Sequence, residues 1–178
     1  GRGIAQLCAS RGIQVRMYDV AQAQLARAKA DVESQLEKLV QKGKLAEGER
    51  TATLERLQAT DDIAKAVSGA ELVIEAAPEN MALKIDLFQQ VRTHAPQTAL
   101  LASNTSSLSL TELGQGVSEP ARVIGLHFFN PPPVMPLLRT RGPPGRRSWP
   151  PSPPSTAPPP TPPQPSIRRW RRPAARSG

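Results

Sequence analysis

Two short stretches hold the side chains best suited to chemistry. The first, A-S-N-T-S-S-L from Ala102, gathers an amide and three hydroxyls in Asn104, Thr105, Ser106 and Ser107. The second, G-L-H-F-F-N-P from Gly125, carries His127. Imidazole titrates near neutrality, so His127 is able to take the proton of an alcohol as hydride leaves the adjoining carbon. Ser106 is able to hydrogen-bond a hydroxyl or carbonyl oxygen, and Asn104 to orient a cofactor or substrate. Structural readings stand beside these: a histidine after a strand that serves packing, and an Asn/Ser-rich turn that caps the next helix.

Further candidates lie upstream. The chain opens G-R-G-I-A-Q, and the next apolar stretch ends in Asp19. In the fingerprint G-x-G-x-x-G the third glycine permits close packing of helix on strand, and the helix N-terminus faces a pyrophosphate. Gly1 fits that third glycine, which puts a first strand and two more glycines ahead of it. Asp19 would then accept hydrogen bonds from the adenosine ribose hydroxyls and repel a 2′-phosphate, favouring NAD over NADP. Its structural alternative is a cap for the helix that begins near Ala21. Lys84 is either a ligand for a cofactor or acyl-CoA phosphate or a solvated helix lysine, and Cys8 fits core packing. No residue spacing reads as a metal site.

These residues need strands to hold them. Gly1 to Gly12 predicts a helix with Ile4, Leu7 and Cys8 on one face and Gly12 as its stop. Ile13 to Asp19 alternates as a short strand. Ala21 to Lys42 is a long amphipathic helix on Leu25, Val32, Leu36 and Leu39, broken at Gly43, with a second helix from Ala46 to Leu57. Ala70 to Ala76 is a buried strand ended by Pro78, and Asn80 to Ala95 is a helix with Asn80 as N-cap. Thr98 to Ala102 and Val123 to Leu126 are two more strand-length runs. Strands alternating with helices imply an α/β fold with a parallel sheet and right-handed crossovers. Polar residues follow four successive strands: Asp19, then Glu79 and Asn80, then Asn104 to Ser107, then His127. The carboxyl ends of strands are where such sheets bind ligands.

The chain has 178 residues and a formal net charge of +8, which taken whole suggests a nucleic-acid binder. The charge is not evenly spread. Arg139 to Gly178 holds nine arginines, thirteen prolines and no acid, so residues 1–138 carry a net of −1. That body is long enough for one domain with a core. The single cysteine excludes an internal disulfide and fits a reducing compartment. No apolar run reaches the roughly 18 residues a membrane span needs, and there is no signal peptide, although the chain lacks an initiator methionine. The tail, 139–178, is expected to be disordered and partly polyproline II. Such a composition is also what a shifted reading frame in GC-rich coding sequence produces, which resequencing around the codons for Leu138 and Arg139 would test. Its functional alternative is a proline-arginine arm that binds phosphates or aromatic grooves.

With these residues placed, residues 1–138 resemble the NAD-binding domain of the 3-hydroxyacyl-CoA dehydrogenases, including the 3-hydroxybutyryl-CoA enzymes. The likeness rests on Y-D-V after the second strand, the paired helices, A-A-P-E-N-M-A-L-K, S-N-T-S-S-L and G-L-H-F-F-N-P-P-P-V-M-P-L. It implies a Rossmann-like doubly wound sheet, its first strand missing here, with an inserted long helix pair. It also implies a helical C-terminal domain, lacking here, that completes the acyl-CoA cleft and usually makes a homodimer. The reaction implied is oxidation of an (S)-3-hydroxyacyl-CoA by NAD, in fatty-acid or related β-oxidation. His127 would be the base, with Ser106 on the substrate oxygen. Gly1 and Asp19 would bind the cofactor, and Glu79, Lys84 and Asn104 match positions lining the cofactor and substrate groove. Where the family carries a glutamate that polarises the histidine, this chain has Arg139, so little activity is expected of it. Competing expectations are another NAD-linked hydroxyacid dehydrogenase, which would lack H-F-F-N-P, and a non-enzymatic NAD-binding or structural fragment. GC-rich composition points to a bacterial, cytoplasmic protein without nucleic-acid or membrane partners.

Overall fold

The computed structural model describes residues 1–129 and 138–141. α1 (Arg2–Ser10) opens the chain, and Gly12, at a left-handed φ of +86°, turns it into the next strand without a Cβ clash. The buried face of α1 is Ile4, Ala5, Gln6 and Ala9. Leu7 and Cys8, expected on that face, are only half-buried. The small side chains of Ala5 and Ala9 let the helix sit against Val32 and Leu36, and this rotates the packed face toward them.

β1 (Val15–Tyr18) leads to α2 (Gln22–Gln41), whose Leu25, Val32 and Leu36 are buried as the spacing predicts. Gly43, at φ +65°, ends that helix turn. α3 (Glu47–Glu55) stops before Leu57, where the sequence expected it to continue. Leu57 instead begins β2 (Leu57–Thr60), paired in parallel with β1 in the register Val15↔Leu57. A short α4 (Ile63–Val67) follows, capped by Asp62, whose side chain accepts from the Ala64 and Lys65 amides. β3 (Leu72–Glu75) precedes α5 (Met81–His94), and Asn80 caps α5 by accepting from the Leu83 amide. β4 (Leu100–Ser103), α6 (Leu110–Gly116), β5 (Val123–Phe128) and β6 (Leu138–Arg141) complete the order.

The strands lie in two sets, β1–β2 and β3–β4–β5–β6. Pairing is parallel except at β6, which runs antiparallel to β5 with His127 opposite Arg139. That pairing corrects the boundary read from composition. Arg139 to Arg141 were assigned to a disordered tail, yet they form a strand, because ladder hydrogen bonds to β5 do not depend on apolar side chains. The rest of the expected tail lies outside the described residues.

Two clusters form the core. Phe88, Val91, Leu101, Leu113, Val117 and Val123 pack between α5, α6 and the four-stranded set. Ala9, Val32, Leu36 and Leu57 pack α1, α2 and β2 together. No helix of the described residues is long and apolar enough to cross a membrane.

Candidate functional site at the strand ends

The carboxyl ends of β3, β4 and β5 are joined by one hydrogen-bonded chain of polar groups. It starts in the interior at Glu75, the last residue of β3. One Glu75 oxygen accepts from the Ser103 hydroxyl at the end of β4, at 2.7 Å. The other accepts from the Lys84 ammonium at 2.7 Å and from the Ala77 amide. Lys84 also donates to the Ala77 carbonyl at 3.0 Å and lies 3.5 Å from a Glu79 oxygen. Glu79 reaches across to the turn after β4, accepting from the Thr105 hydroxyl at 2.8 Å and the Ser106 amide at 2.8 Å. Burial works against the charge on Glu79. The Ser106 amide, the Thr105 hydroxyl and the Lys84 ammonium outweigh it and hold the carboxyl below its ordinary value.

The turn itself is built by Thr105, whose hydroxyl oxygen accepts from the Ser107 and Leu108 amides. Ser109, not the Asn/Ser cluster, caps α6. Asn104 is therefore free for a different task. Its side-chain oxygen accepts from the Phe128 amide at 2.9 Å, and its main-chain carbonyl lies 3.4 Å from His127 Nδ1. A carbonyl only accepts, so this contact is a hydrogen bond when Nδ1 carries the proton, which leaves the Nε2 lone pair of the neutral ring open. His127 is half-buried, against the edge of the exposed Phe129 ring. Ser106 is exposed.

Glu79, Lys84 and Ser106 share one network with Glu75, and Asn104 and His127 form a second pair joined to it through the main chain, where the Asn104 amide donates to the Glu75 carbonyl. Lys84 does not stand as either sequence reading had it. It is 1 % exposed, and its ammonium is taken up by Glu75, Glu79 and a carbonyl, so it is neither solvated nor extended toward a phosphate. The missed signal was spacing, since Lys84, Phe88 and Val91 form the buried stripe of α5. Glu75 and Ser103 were missed as well. A single acid closing an otherwise apolar strand was the available sign of Glu75.

Gly1 and Asp19 lie apart from that network, in the lining of an open cleft between β1 and β3 that also includes Glu75 to Pro78. Asp19 accepts from the Ala21 amide through one oxygen, so it does brace the entry to α2, and its second oxygen makes no protein hydrogen bond among the described residues. Gly1 is the N-cap of α1, with no side-chain cap and no acid in the first turn. Uncapped first-turn amides and a carboxylate at the end of β1 form a donor and acceptor set that fits a dinucleotide. Close packing does not itself demand glycine here, because a Cβ on Gly1 would meet Ala76 at an ordinary 3.8 Å.

Parallel strands joined by helices, with polar side chains collected at the strands' carboxyl ends, define the Rossmann class of nucleotide-binding domains. Residues 1–140 match the family model described as 3-hydroxyacyl-CoA dehydrogenase, NAD binding domain, and the chain belongs to that family, whose cofactor is NAD. The chain is 44% identical over 142 residues to a probable 3-hydroxybutyryl-CoA dehydrogenase of Bacillus subtilis, covering 78% of this chain and 48% of that one. It is 38% identical over 144 residues to the mitochondrial hydroxyacyl-coenzyme A dehydrogenase of Rattus norvegicus, covering 78% and 46%. Among solved structures, (S)-3-hydroxybutyryl-CoA dehydrogenase from Ralstonia eutropha superposes with a TM-score of 0.76 at 40% identity, covering 80% of this chain and 50% of that one. The chain thus spans about half the length of these relatives. They are oxidoreductases named for acyl-CoA substrates.

Proposed function

We propose that this chain is the cofactor-binding part of an NAD-dependent (S)-3-hydroxyacyl-CoA dehydrogenase of fatty-acid or related β-oxidation, with His127 as the base. The observation that carries the proposal is the 3.4 Å approach of His127 Nδ1 to the Asn104 carbonyl, which selects the tautomer with the proton on Nδ1. With Nδ1 so engaged, Nε2 takes the proton of the 3-hydroxyl as the C3 hydride departs. NAD, when bound, supplies the acceptor for that hydride. Ser106 steadies the substrate oxygen, held in place through Glu79. The α1 N-terminus and Gly1 receive the pyrophosphate, and Asp19 receives the adenosine ribose. Lys84 and Asn104 act through the groups they hold, Lys84 on the two glutamates and Asn104 on the imidazole.

The chain as it stands has little turnover in this reading. Arg139 occupies the register position opposite His127, where the resemblance expects a glutamate, and a guanidinium has no acceptor for an imidazole N–H. An acyl-CoA substrate, a homodimer formed through a further helical domain and a cytoplasmic setting without nucleic-acid or membrane partners belong to the same proposal. The bacterial relatives and the lack of a membrane-crossing helix among the described residues support the setting.

The test is calorimetric titration of the purified chain with NADH, followed by reduction of acetoacetyl-CoA. We expect saturable NADH binding, turnover at trace level, and a rise of at least about tenfold in Arg139→Glu that disappears when His127→Asn is added. NADH binding without any turnover in Arg139→Glu favours a non-enzymatic NAD-binding fragment. No NADH binding by the folded chain would overturn the cofactor assignment.

A further inference from the structure

Glu75 closes the apolar run of β3 and is 3% exposed. Taking a carboxylate out of water is costly, and well-packed apolar residues in place of a buried ion pair are often as stable or more so. Stability alone is therefore a poor reason for an acid at this point. Its contacts give a better one.

Three donors converge on the carboxylate. One oxygen takes the Lys84 ammonium at 2.7 Å and the Ala77 amide, and the other takes the Ser103 hydroxyl at 2.7 Å. An ionised carboxylate has room for about four such donors, whereas a glutamine amide offers one oxygen and adds N–H groups of its own. Two paths lead from Glu75 to the groups placed on the substrate. Through Lys84, which lies 3.5 Å from Glu79, the first reaches the carboxylate that holds the Ser106 amide at 2.8 Å. The second runs through the main chain. The Glu75 carbonyl takes the Asn104 amide at 2.9 Å, and the Asn104 carbonyl lies 3.4 Å from His127 Nδ1. Ser103, beside Glu75 in the β3–β4 register and fully buried, ties the paths together. Its hydroxyl donates to Glu75 and accepts from the Thr105 amide at 3.3 Å.

We propose that Glu75, with Ser103 as its contact on β4, is a positioning residue that sets the spacing of Ser106 and His127, a role that rests on the dehydrogenase reading above. Glu75 itself meets no substrate in this role. The ammonium decides the direction of the effect. Lys84 is closer to Glu75 than to Glu79, 2.7 against 3.5 Å, so Glu75 draws the cation inward and leaves the Glu79 oxygens to Thr105 and Ser106. Without the charge on Glu75, the ammonium keeps only Glu79 as a carboxylate partner among the described residues. The two then close up at the expense of the Ser106 amide.

The experiment compares Glu75→Gln, Ser103→Ala and the control Leu36→Ala in the full chain carrying Arg139→Glu, by NMR and by steady-state reduction of acetoacetyl-CoA. Leu36 is buried in the other core cluster, among α1, α2 and β2, so its truncation lowers stability without touching the strand-end contacts. In Glu75→Gln the Ser106 amide proton should move upfield as its bond to Glu79 weakens. There kcat should fall at least about tenfold with KM held within about twofold. Ser103→Ala keeps the ion pair, and it should shift the Thr105 and Ser106 amides with a smaller fall in kcat. Leu36→Ala should lower the urea midpoint while leaving the Ser106 signal and kcat in place. A Ser106 signal unmoved in Glu75→Gln or in Ser103→Ala would overturn the proposal, as would one that Leu36→Ala moves as far. A rise in KM at unchanged kcat would overturn it too. If Glu75→Gln does not fold, Ser103→Ala decides by itself. Failure of the dehydrogenase reading looks different: the Arg139→Glu parent shows no turnover whatever the amide signals do, and the positioning role falls with it.

Discussion

β1 and β4 are both four-residue parallel strands set between helices, but their surroundings differ. β4 has β3 on one edge and β5 on the other, and from Leu101 onward it is fully buried. Among the described residues β1 pairs with β2 alone, and its residues remain half-buried or exposed. The same contrast divides the polar groups beyond the strands. Past β3 and β4 the glutamates, lysine and hydroxyls satisfy one another, and the Asn104 side chain accepts from the Phe128 amide of β5. Past β1, Asp19 keeps one oxygen without a protein partner among the described residues. Burial in this molecule follows pairing on both edges as much as side-chain type. The closed region is the one that preorganises its polar groups.

The strongest way to break the closed region is to strand one of its buried charges. Lys84→Met leaves Glu75 ionised without its cation, and a loss of about 3–5 kcal/mol is expected in urea unfolding. Glu75→Leu combined with Lys84→Met should recover most of that loss, because no fully buried charge is then left unpaired. A double variant as unstable as the single one would show that the damage lies in packing. A smaller contrast sharpens the difference between the strands themselves. Leu101→Ala in β4 should cost about 2–5 kcal/mol, whereas Leu72→Ala at the exposed start of β3 should cost well under half of that. Equal losses would mean that β3 is covered in solution.

The smallest expected effect is the dependence on pH carried by Glu79. Its carboxyl is held below the ordinary value, so its contribution is present above the unfolded pKa and is lost as pH falls through the folded one. Urea midpoints measured from about pH 7 down to about pH 3 should therefore decline on the acid side. In Glu79→Gln the midpoint should be lower at neutral pH and the acid decline shallower. An unchanged acid limb would remove Glu79 from the network's energetics.

Much of this arrangement was legible in the residues. The long periodic pattern of α2, the capping asparagine before α5 and the apolar runs of β3, β4 and β5 all lie where patterning put them. The elements that escaped notice are short: β2 offers one buried apolar residue in L-Q-A-T, and α4 and α6 run five and seven residues. Such pieces owe their form to tertiary pairing and to caps at Asp62 and Ser109, which a periodicity scan does not weigh. β6 was obscured by the arginines and prolines that follow it. At the site, the residue types at Asn104, Ser106 and His127 were readable. The inward turn of Lys84 was not, because a lysine on an apolar stripe becomes interpretable only when its partner carboxylate on another strand is in view.

The Asn104 carbonyl has a last consequence for the imidazole it holds. A neutral ring and a charged ring both present the same N–H to that oxygen, so gaining or losing a proton changes only the far nitrogen. In the proposed reaction the side chain would therefore have no reason to flip or swing between the two halves of a turnover. Acid and base forms would share one pose, and under the proposed role the reorganisation that water demands of a free histidine would be removed before any substrate arrives.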